Sequence, residues 1–550
     1  MIKNYQNYKG IHVLSVYGSD YEMGYQHGKL LKDFIKEGPL PYFSNYLERI
    51  IKGAGGKLTG KLIGKSLEKT VGKKIASSFP KEVISAFQGL ADGADMPYPE
   101  LIKAVVMPES FLWLSSKALK FKKPEKAPRF MVPFMGCSRV IALGSATKEN
   151  KLLHGRNFDY QGTGVWDRQT AVIFHQPDKG QLYASVSSAG ILLGGVTAMN
   201  EAGLTLAVHQ HLASDAFTLG GLPIGVIGDQ VMRYSENLQD AVKILDSHIP
   251  IGCWTYIISS ARENKVLCYE VTPSDRSWFI SENETFGYSN LFLNKKLADT
   301  EYFMYPSQWR SNTGRYHCIQ DRLEKNTGNI DENTIAAILG EKNNPSCRLH
   351  APLAMLLTVG STVFSPSDSL FYVGSGNAPT SNRPFVAFDL KNKKPAYDLA
   401  DLTGGIPKDS DSLNAFDYYR ESFEAYFNKD DLDMARMKLD KALNIKPDEP
   451  LYNYIGALLA ISDHDFTYAV ELLTQTILKG HISTERVASF YFWRGRAFDS
   501  LNRRKDAISD YSMAVSGDPE VNKAAIKGLS KKWQWKKLNI EFNYADVINP

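Results

Sequence analysis

From Cys137 onward the chain turns β-rich, and that change constrains its fold more than any other feature. Val140–Leu143, Leu152–Leu153, Thr170–His175, Leu182–Val186, Leu204–His209, Trp254–Ser259 and Val266–Val271 are short β-rich runs broken by Gly, Asn and Asp. Helical spacing intervenes around Ile227–Tyr234, Leu238–Leu245 and Thr334–Leu339. Clustered strands, then helices, then strands again predict a layered α+β domain that ends near Thr403.

Residues 1–136 read mainly as helical. Tyr21-Glu22-Met23-Gly24-Tyr25-Gln26-His27-Gly28 leads into Leu30, Leu31, Phe34 and Ile35, which recur on one helix face. Tyr46–Ile75 is rich in Gly and Lys, with eight basic residues against two acidic, and Leu58, Leu62, Ile63 and Leu67 recur at helical intervals within it. A third helical pattern, Val83 to Ala91, runs into Asp92-Gly93-Ala94-Asp95. Lys117–Arg129, rich in Lys and Pro, reads as an exposed loop. At the other end, from Asp411, the pattern is all helical and repeats. Ala435, Leu439, Ala442 and Pro447 match Ala507, Tyr511, Ala514 and Pro519 at identical spacing. Gly495 and Tyr491 fill the preceding small and aromatic positions, and Gly456, Ala469 and Leu473 form a middle unit with a one-residue slip. Ala435 to Ala469 is a 34-residue step. These are the small and aromatic positions of tetratricopeptide repeats, in which small residues let paired helices approach closely.

The 550 residues exceed one ordinary domain. A hydrophobic share of 43% with 23% charged residues describes a globular protein with a substantial core. A net charge of +4 is too mild to imply a nucleic-acid partner. Met1-Ile2-Lys3-Asn4-Tyr5 carries no apolar leader, and no run is long enough to span a bilayer, so a cytoplasmic location is expected. Cys137, Cys253, Cys268, Cys318 and Cys347 are scattered without CxxC pairs and read as reduced thiols.

The chemistry concentrates at Met135-Gly136-Cys137-Ser138-Arg139, followed by Gly155-Arg156-Asn157-Phe158-Asp159. If the Gly136-Cys137 bond breaks, Cys137 becomes an N-terminus that carries nucleophile and base on one residue. An α-amino group titrates at about 7.7–8, so part of it is neutral near pH 7 and able to accept the thiol proton. No separate His is then required, and neither a cofactor nor a metal. Asp159 can orient the amine or thiol, and Arg156 can stabilise charge on the acid or on a substrate oxygen. Taken alone, a Cys in an apolar segment is ordinarily a small buried hydrophobe, and Arg-x-x-Asp an ordinary surface pair.

Six motifs in order carry more weight. They are Gly24-Tyr25-Gln26-His27-Gly28, the run Phe87 to Ala94, Gly136-Cys137 with Gly155 to Asp159, Met199 to Leu204, Tyr288-Ser289-Asn290, and Ser311-x-x-x-Arg315. Together they resemble the acyl-CoA:6-aminopenicillanate acyltransferase family. These are autoproteolytic cysteine peptidases among the N-terminal nucleophile (Ntn) hydrolases, related to bile salt hydrolases, penicillin V acylases and acid ceramidases. The resemblance implies a four-layer αββα fold autocleaved between Gly136 and Cys137. It makes Cys137 the nucleophile, Arg156 and Asp159 the pair that positions amine and thiol, Asn290 an oxyanion donor and Arg315 a buttress. Gln210 stands where bile salt hydrolases carry a second oxyanion-hole amide. Leu291 stands where the acyltransferases usually have His.

The expected organisation is a helical N-terminal segment over 1–136, an Ntn hydrolase domain over 137–405, tetratricopeptide-like repeats over 411–530 and a tail over 531–550. The expected activity is hydrolysis or transfer of an acyl group from a small-molecule amide or thioester through an acyl-Cys137 intermediate. The repeats imply a protein or peptide partner. An alternative is an inactive scaffold that acts with the repeats as an interaction module. His209 and His211 share one strand face but lack a third ligand, so no metal site is expected. The basic stretch Arg49–Lys74 reads as a solvated flap, or as a peripheral membrane contact if the substrate is a lipid.

Overall fold

The structure is a computed structural model that describes residues 4–45, 57–121, 136–211, 217–301, 306–342 and 352–535. The chain divides into two compact units. One comprises Met1–Met304, Arg315–Asn344 and Pro352–Ile406, the other Tyr305–Gly314, Pro345–Ala351 and Pro407–Pro550.

Two sheets form the middle of the first unit. In chain order the strands begin with β1 (Tyr5–Tyr8), β2 (Ile11–Gly18), β3 (Gly136–Ala142), β4 (Leu153–Asp159), β5 (Thr170–Pro177) and β6 (Tyr183–Ser188). They continue with β7 (Thr197–Asn200), β8 (Leu204–His211), β9 (Cys253–Ser260), β10 (Lys265–Val271) and β11 (Arg276–Ser281). The last are β12 (Thr285–Tyr288), β13 (Thr358–Ser365), β14 (Leu370–Gly374), β15 (Phe385–Asp389) and β16 (Lys394–Pro395). One sheet has the order β1-β2-β5-β6-β7-β8-β9-β10-β11, the other β12-β3-β4-β13-β14-β15-β16.

Period-two alternation gives inner strands such as β3 and β9 two buried faces. On β2, Ile11 and Val13 meet Phe364, Phe371 and Phe388 of the second sheet, whereas Leu14 and Val16 face helices. On β8, Leu204, Leu206 and Val208 pack beneath the helices Ile224–Tyr234 and Leu238–Asp246. The second sheet is covered by the helices Pro306–Asn326 and Glu332–Leu339, whose Ile319 and Ile335 crowd Gly287 and Gly155. Helix, sheet, sheet, helix is the expected αββα layering, and each large apolar side chain it buries contributes about 1.5–3 kcal/mol.

Two glycine pairs explain the first motifs of the sequence. Helices Asp20–Leu30 and Lys81–Ala94 cross with their backbones touching. A Cβ on Gly24 or Gly28 would lie 2.1 or 2.4 Å from the carbonyl of Ala86 or Leu90. One on Gly89 or Gly93 would lie 2.1 or 2.2 Å from that of Tyr21 or Tyr25. Only glycine permits such an approach. His27, fully buried, accepts a hydrogen bond from Gly190 N through Nε2 (3.0 Å), and burial lowers its pKa to about 4. Its role is therefore structural.

The N-terminal segment differs from its mainly helical reading, because β1 and β2 precede the helices and β2 pairs in parallel with β5. Their alternation is short and is followed directly by the capped helix at Ser19, so a helical window averages over it. The expected loop over Lys117–Arg129 also starts later. Lys117–Phe121 close the helix Tyr98–Phe121, and 122–129 lie outside the described residues. Within the basic stretch, Leu67, Val71 and Ile75 are buried in the helical core, so this part is packed rather than a solvated flap. Cys137, Cys253, Cys268 and Cys318 are buried and form no disulfide, and Cys347 lies outside the described residues.

The second unit is a run of helices that pack in sequence: Ser410–Phe423, Leu432–Ile445, Pro450–Ser462, Phe466–Lys479, Thr484–Ser500, Arg504–Ala514 and Pro519–Ser530. Ala435, Ala469 and Ala507 are fully buried between them. A Cβ on Gly495 would sit 3.0 Å from the Tyr511 ring, so the small residue sets how closely these helices pack. Among the described residues no helix is long and apolar enough to cross a membrane.

Candidate active site at the start of strand β3

Antiparallel register gathers the polar residues of the motifs around Cys137. β3 pairs with β4 so that Gly136 opposes Asp159, Cys137 opposes Phe158, and Arg139 opposes Arg156. Residues that oppose one another share a face, so Cys137, Arg139, Arg156 and Phe158 look toward the first sheet. Gly136, Ser138 and Asp159 look toward the Pro306–Asn326 helix. β12 pairs with β3 on its other side, with Tyr288 opposite Arg139. Continuing that register by two residues brings Asn290 beside Cys137.

The contacts are specific. Cys137 N donates to Asn290 Oδ1 at 2.7 Å, and Asn290 Nδ2 donates to the main-chain oxygen of Gln210 at 2.9 Å. Arg315 Nη1 donates to Cys137 O at 2.5 Å and to Ser138 Oγ at 3.1 Å, and Nη2 reaches Asn290 Oδ1 at 3.1 Å. Arg156 Nη2 lies 3.6 Å from Cys137 Sγ and 3.2 Å from Val208 O, while Nη1 meets Val196 O and Thr197 Oγ1. The Arg156 guanidinium also lies 5.0 Å from the Phe158 ring centre. Asp159 Oδ1 accepts from Thr358 Oγ1 at 2.6 Å. Its Oδ2 is buried without a hydrogen-bond partner among the described residues, and a Cβ on Gly136 would sit 3.1 Å from it. A bulge between Thr358 and Gly360, where β13 pairs with β4, places Thr358 opposite that carboxyl.

Cys137 is 6% exposed, and Arg139, Arg156, Asp159 and Arg315 are 1% or less. Burial raises the Asp159 carboxyl to about 6, against the pull of Arg315, the Thr358 hydrogen bond, Arg156 and Arg139. Burial lowers the Arg156 pKa. It also lowers that of Arg139, where repulsion from Arg156 adds to it. Three guanidinium groups around one carboxyl leave a site suited to negative charge.

The structure thus brings Cys137, Arg156, Asp159, Asn290 and Arg315 into one cluster with Gly136 against it. The Asn290 oxygen faces Cys137 N and its nitrogen faces Gln210. Gln210 joins through its carbonyl, while its side chain lies on the Val208 face of β8, and Leu291 follows Asn290 directly. His209 packs edge-on to Tyr288 at 4.7 Å between ring centres. His211 is engaged by Glu301 (2.7 Å), by Thr255 (2.8 Å) and by the Phe292 ring. Two contributors escaped the sequence reading. Arg139 follows from alternation out of Cys137, a signal that was present, whereas Thr358 depends on long-range pairing that no local pattern carries.

The family model for acyl-coenzyme A:6-aminopenicillanic acid acyl-transferase matches residues 145–377. The match includes Arg156, Asp159, Gln210, Asn290 and Arg315 and begins downstream of Cys137. An uncharacterized protein of Archaeoglobus fulgidus is 27% identical over 267 residues, 46% of this chain and 42% of that protein. The chain therefore spans less than half the length of that relative. Protein dcd1B of Dictyostelium discoideum is 23% identical over 390 residues, 68% of this chain and 69% of its own. Among solved structures, a mutant conjugated bile acid hydrolase from Clostridium perfringens aligns over 46% of this chain and 93% of its own, with 13% identity and a TM-score of 0.33. The N-terminal domain of stress-induced protein-1 from C. elegans aligns over 22% of this chain and 100% of its own, with 21% identity and a TM-score of 0.21. Over residues 145–377 the chain is similar to the acyl-coenzyme A:6-aminopenicillanic acid acyl-transferase family.

Proposed function

We propose that the protein is an autoproteolytically activated cysteine N-terminal nucleophile hydrolase or acyltransferase. The observation that carries this reading is the grip on one peptide unit: Asn290 Oδ1 holds Cys137 N while Arg315 Nη1 holds Cys137 O. In the activating step Cys137 Sγ attacks the Gly136 carbonyl carbon, a C–S bond forms, and the C–N bond breaks. The released nitrogen takes the thiol proton and becomes the α-amine of Cys137. Water then hydrolyses the thioester, leaving a Gly136 carboxyl and a free thiol. The tetrahedral intermediates carry negative charge, which the cluster of Arg139, Arg156 and Arg315 can hold in place.

In turnover the α-amine takes the thiol proton, Cys137 attacks an amide or thioester carbonyl, and an acyl-Cys137 intermediate forms. Asp159, whose Oδ2 faces the Gly136 side, orients the new amine. Asn290 and Arg315 hold the nucleophile's main chain, and a turn of the Asn290 amide after cleavage would bring its Nδ2 to the oxyanion. Water or an amine completes the cycle.

Intact-mass analysis tests the first half. Purified protein should separate into fragments of roughly 136 and 414 residues, the split that cleavage at Gly136-Cys137 of the 550-residue chain gives. Fluorogenic N-acyl amides and acyl-CoA thioesters test the second half. The helices of the second unit we assign as tetratricopeptide-like repeats with a peptide partner, on the 34-residue step between the buried Ala435 and Ala469.

A further inference from the structure

Asn290 stands two residues past the end of β12, and the segment that carries it, Tyr288 to Asn294, is held by two buried carboxylates that take no part in the chemistry above. Glu270 on β10 accepts from Tyr288 Oη at 3.1 Å and from Leu293 N at 2.5 Å through Oε1, and from Asn294 N at 2.8 Å through Oε2. Glu301 accepts from Phe292 N at 3.2 Å through Oε2 and meets His211 Nδ1 at 2.7 Å through Oε1. Three consecutive main-chain N–H groups, those of residues 292 to 294, thus end on these two acids. His211 lies flat against the Phe292 ring, 3.8 Å between centres, and directly follows Gln210, whose carbonyl receives Asn290 Nδ2.

A chain of side chains joins the two acids, and its protons can be counted. Register sets Thr255 opposite Glu270, on the side of the first sheet that faces the second. Tyr288 has one O–H, and the Glu270 carboxylate takes it. The Tyr288 oxygen, 2.7 Å from Thr255 Oγ1, therefore accepts the Thr255 proton. Thr255 Oγ1 must then accept at 2.8 Å from His211 Nε2, with Tyr288 Oη 3.4 Å away as a weaker second acceptor. Nε2 is thus a donor, and the contact between Nδ1 and Glu301 Oε1 closes only with a further proton between them. Every link is buried, where a missing hydrogen bond costs most.

We infer that Glu301, His211 and Glu270 are positioning residues: they form one proton-filled hydrogen-bond chain that fixes the Tyr288–Asn294 segment and keeps the Asn290 amide aimed at Cys137. This rests on Asn290 serving Cys137 as proposed above. Glu301→Gln keeps the shape and leaves the chain one link short, because an amide oxygen cannot accept from both His211 and Phe292. In the full-length protein it should slow self-cleavage and lower kcat on fluorogenic N-acyl amides by about tenfold each, with KM changed by less than about twofold. Added to Asn290→Ala, the same change should alter the residual rates by less than about twofold, because these residues act only through the group they position. A full tenfold loss in the Asn290→Ala protein, or an undiminished rate in Glu301→Gln alone, would overturn the inference. If Glu301→Gln does not fold, Thr255→Val, which cuts the chain without touching either acid, should lower both rates by about threefold or more, and a wild-type rate would overturn the inference equally. If the wild type neither cleaves itself nor turns over substrate, the proposed function fails and NMR reads the chain directly. His211 Nε2 should carry a proton in the wild type, and exchange of the Asn290 side-chain amide should accelerate by about tenfold or more in Glu301→Gln or Thr255→Val. A bare Nε2, or equal exchange in wild type and variant, would overturn the assignment.

Discussion

Replacing Asp159 by Asn gives the most quantitative check on the electrostatics of the site. The Asp159 carboxyl stands at about 6 in the folded protein against an ordinary 3.8, with burial the dominant cause. A carboxyl raised on folding contributes stability that is complete below the unfolded value and is lost as pH rises through the folded one. The loss therefore accumulates between about pH 4 and pH 6 and is complete by pH 7.5. Multiplying the shift by 1.36 kcal/mol per unit gives about 3 kcal/mol. The attraction of Arg315, Arg156 and Arg139 is already contained in that net value. Asn keeps the oxygen that accepts from Thr358 and removes the charge. To keep processing out of the comparison, the substitution is made in a Cys137→Ala protein. Relative to that parent, Asp159→Asn should be nearly neutral at pH 4 and stabilising by about 2–3 kcal/mol at pH 7.5. For a unit of roughly 390 residues this raises the melting temperature by about 3 °C, readable by scanning calorimetry. If the variant instead loses stability relative to the parent as pH rises, ion pairing outweighs burial and the sign of the argument is wrong.

Other outcomes follow from the same contacts. Gly136→Ala places a Cβ 3.1 Å from both Asp159 Oδ2 and Met355 Cε, and self-cleavage followed by gel densitometry should slow by at least about tenfold. Asn290→Ala removes the acceptor of Cys137 N and a partner of Arg315, so both cleavage and turnover should fall by about 10²-fold, whereas cleavage at the wild-type rate would remove Asn290 from the account. In the second unit, Gly495→Leu overpacks the Tyr511 contact and should cost about 1–3 kcal/mol in thermal unfolding while leaving the fragment pattern unchanged.

The layering was legible because its signals are local: period-two runs after Cys137, helical spacing around Ile227 and Leu238, and buried alanines repeating in the last third. β1 and β2 were missed for the same reason, since eight-residue alternation at Ile11–Gly18 runs straight into the Ser19-capped helix and does not stand apart. Arg156 and Asp159 could be named from one short motif, and Asn290 and Arg315 only through the resemblance. Their meeting at Cys137 depends on β3 being flanked by both β4 and β12, which no window of sequence contains. Thr358 lies further out still, aimed at Asp159 by a bulge.

N-terminal mapping of the active protein tests the central claim most directly. Peptide mass spectrometry should find a mature chain that begins at Cys137, and Cys137→Ala should remain a single 61.5 kDa polypeptide without acyl-transfer activity. A protein that turns over acyl substrates while its Gly136-Cys137 bond is intact would contradict the account.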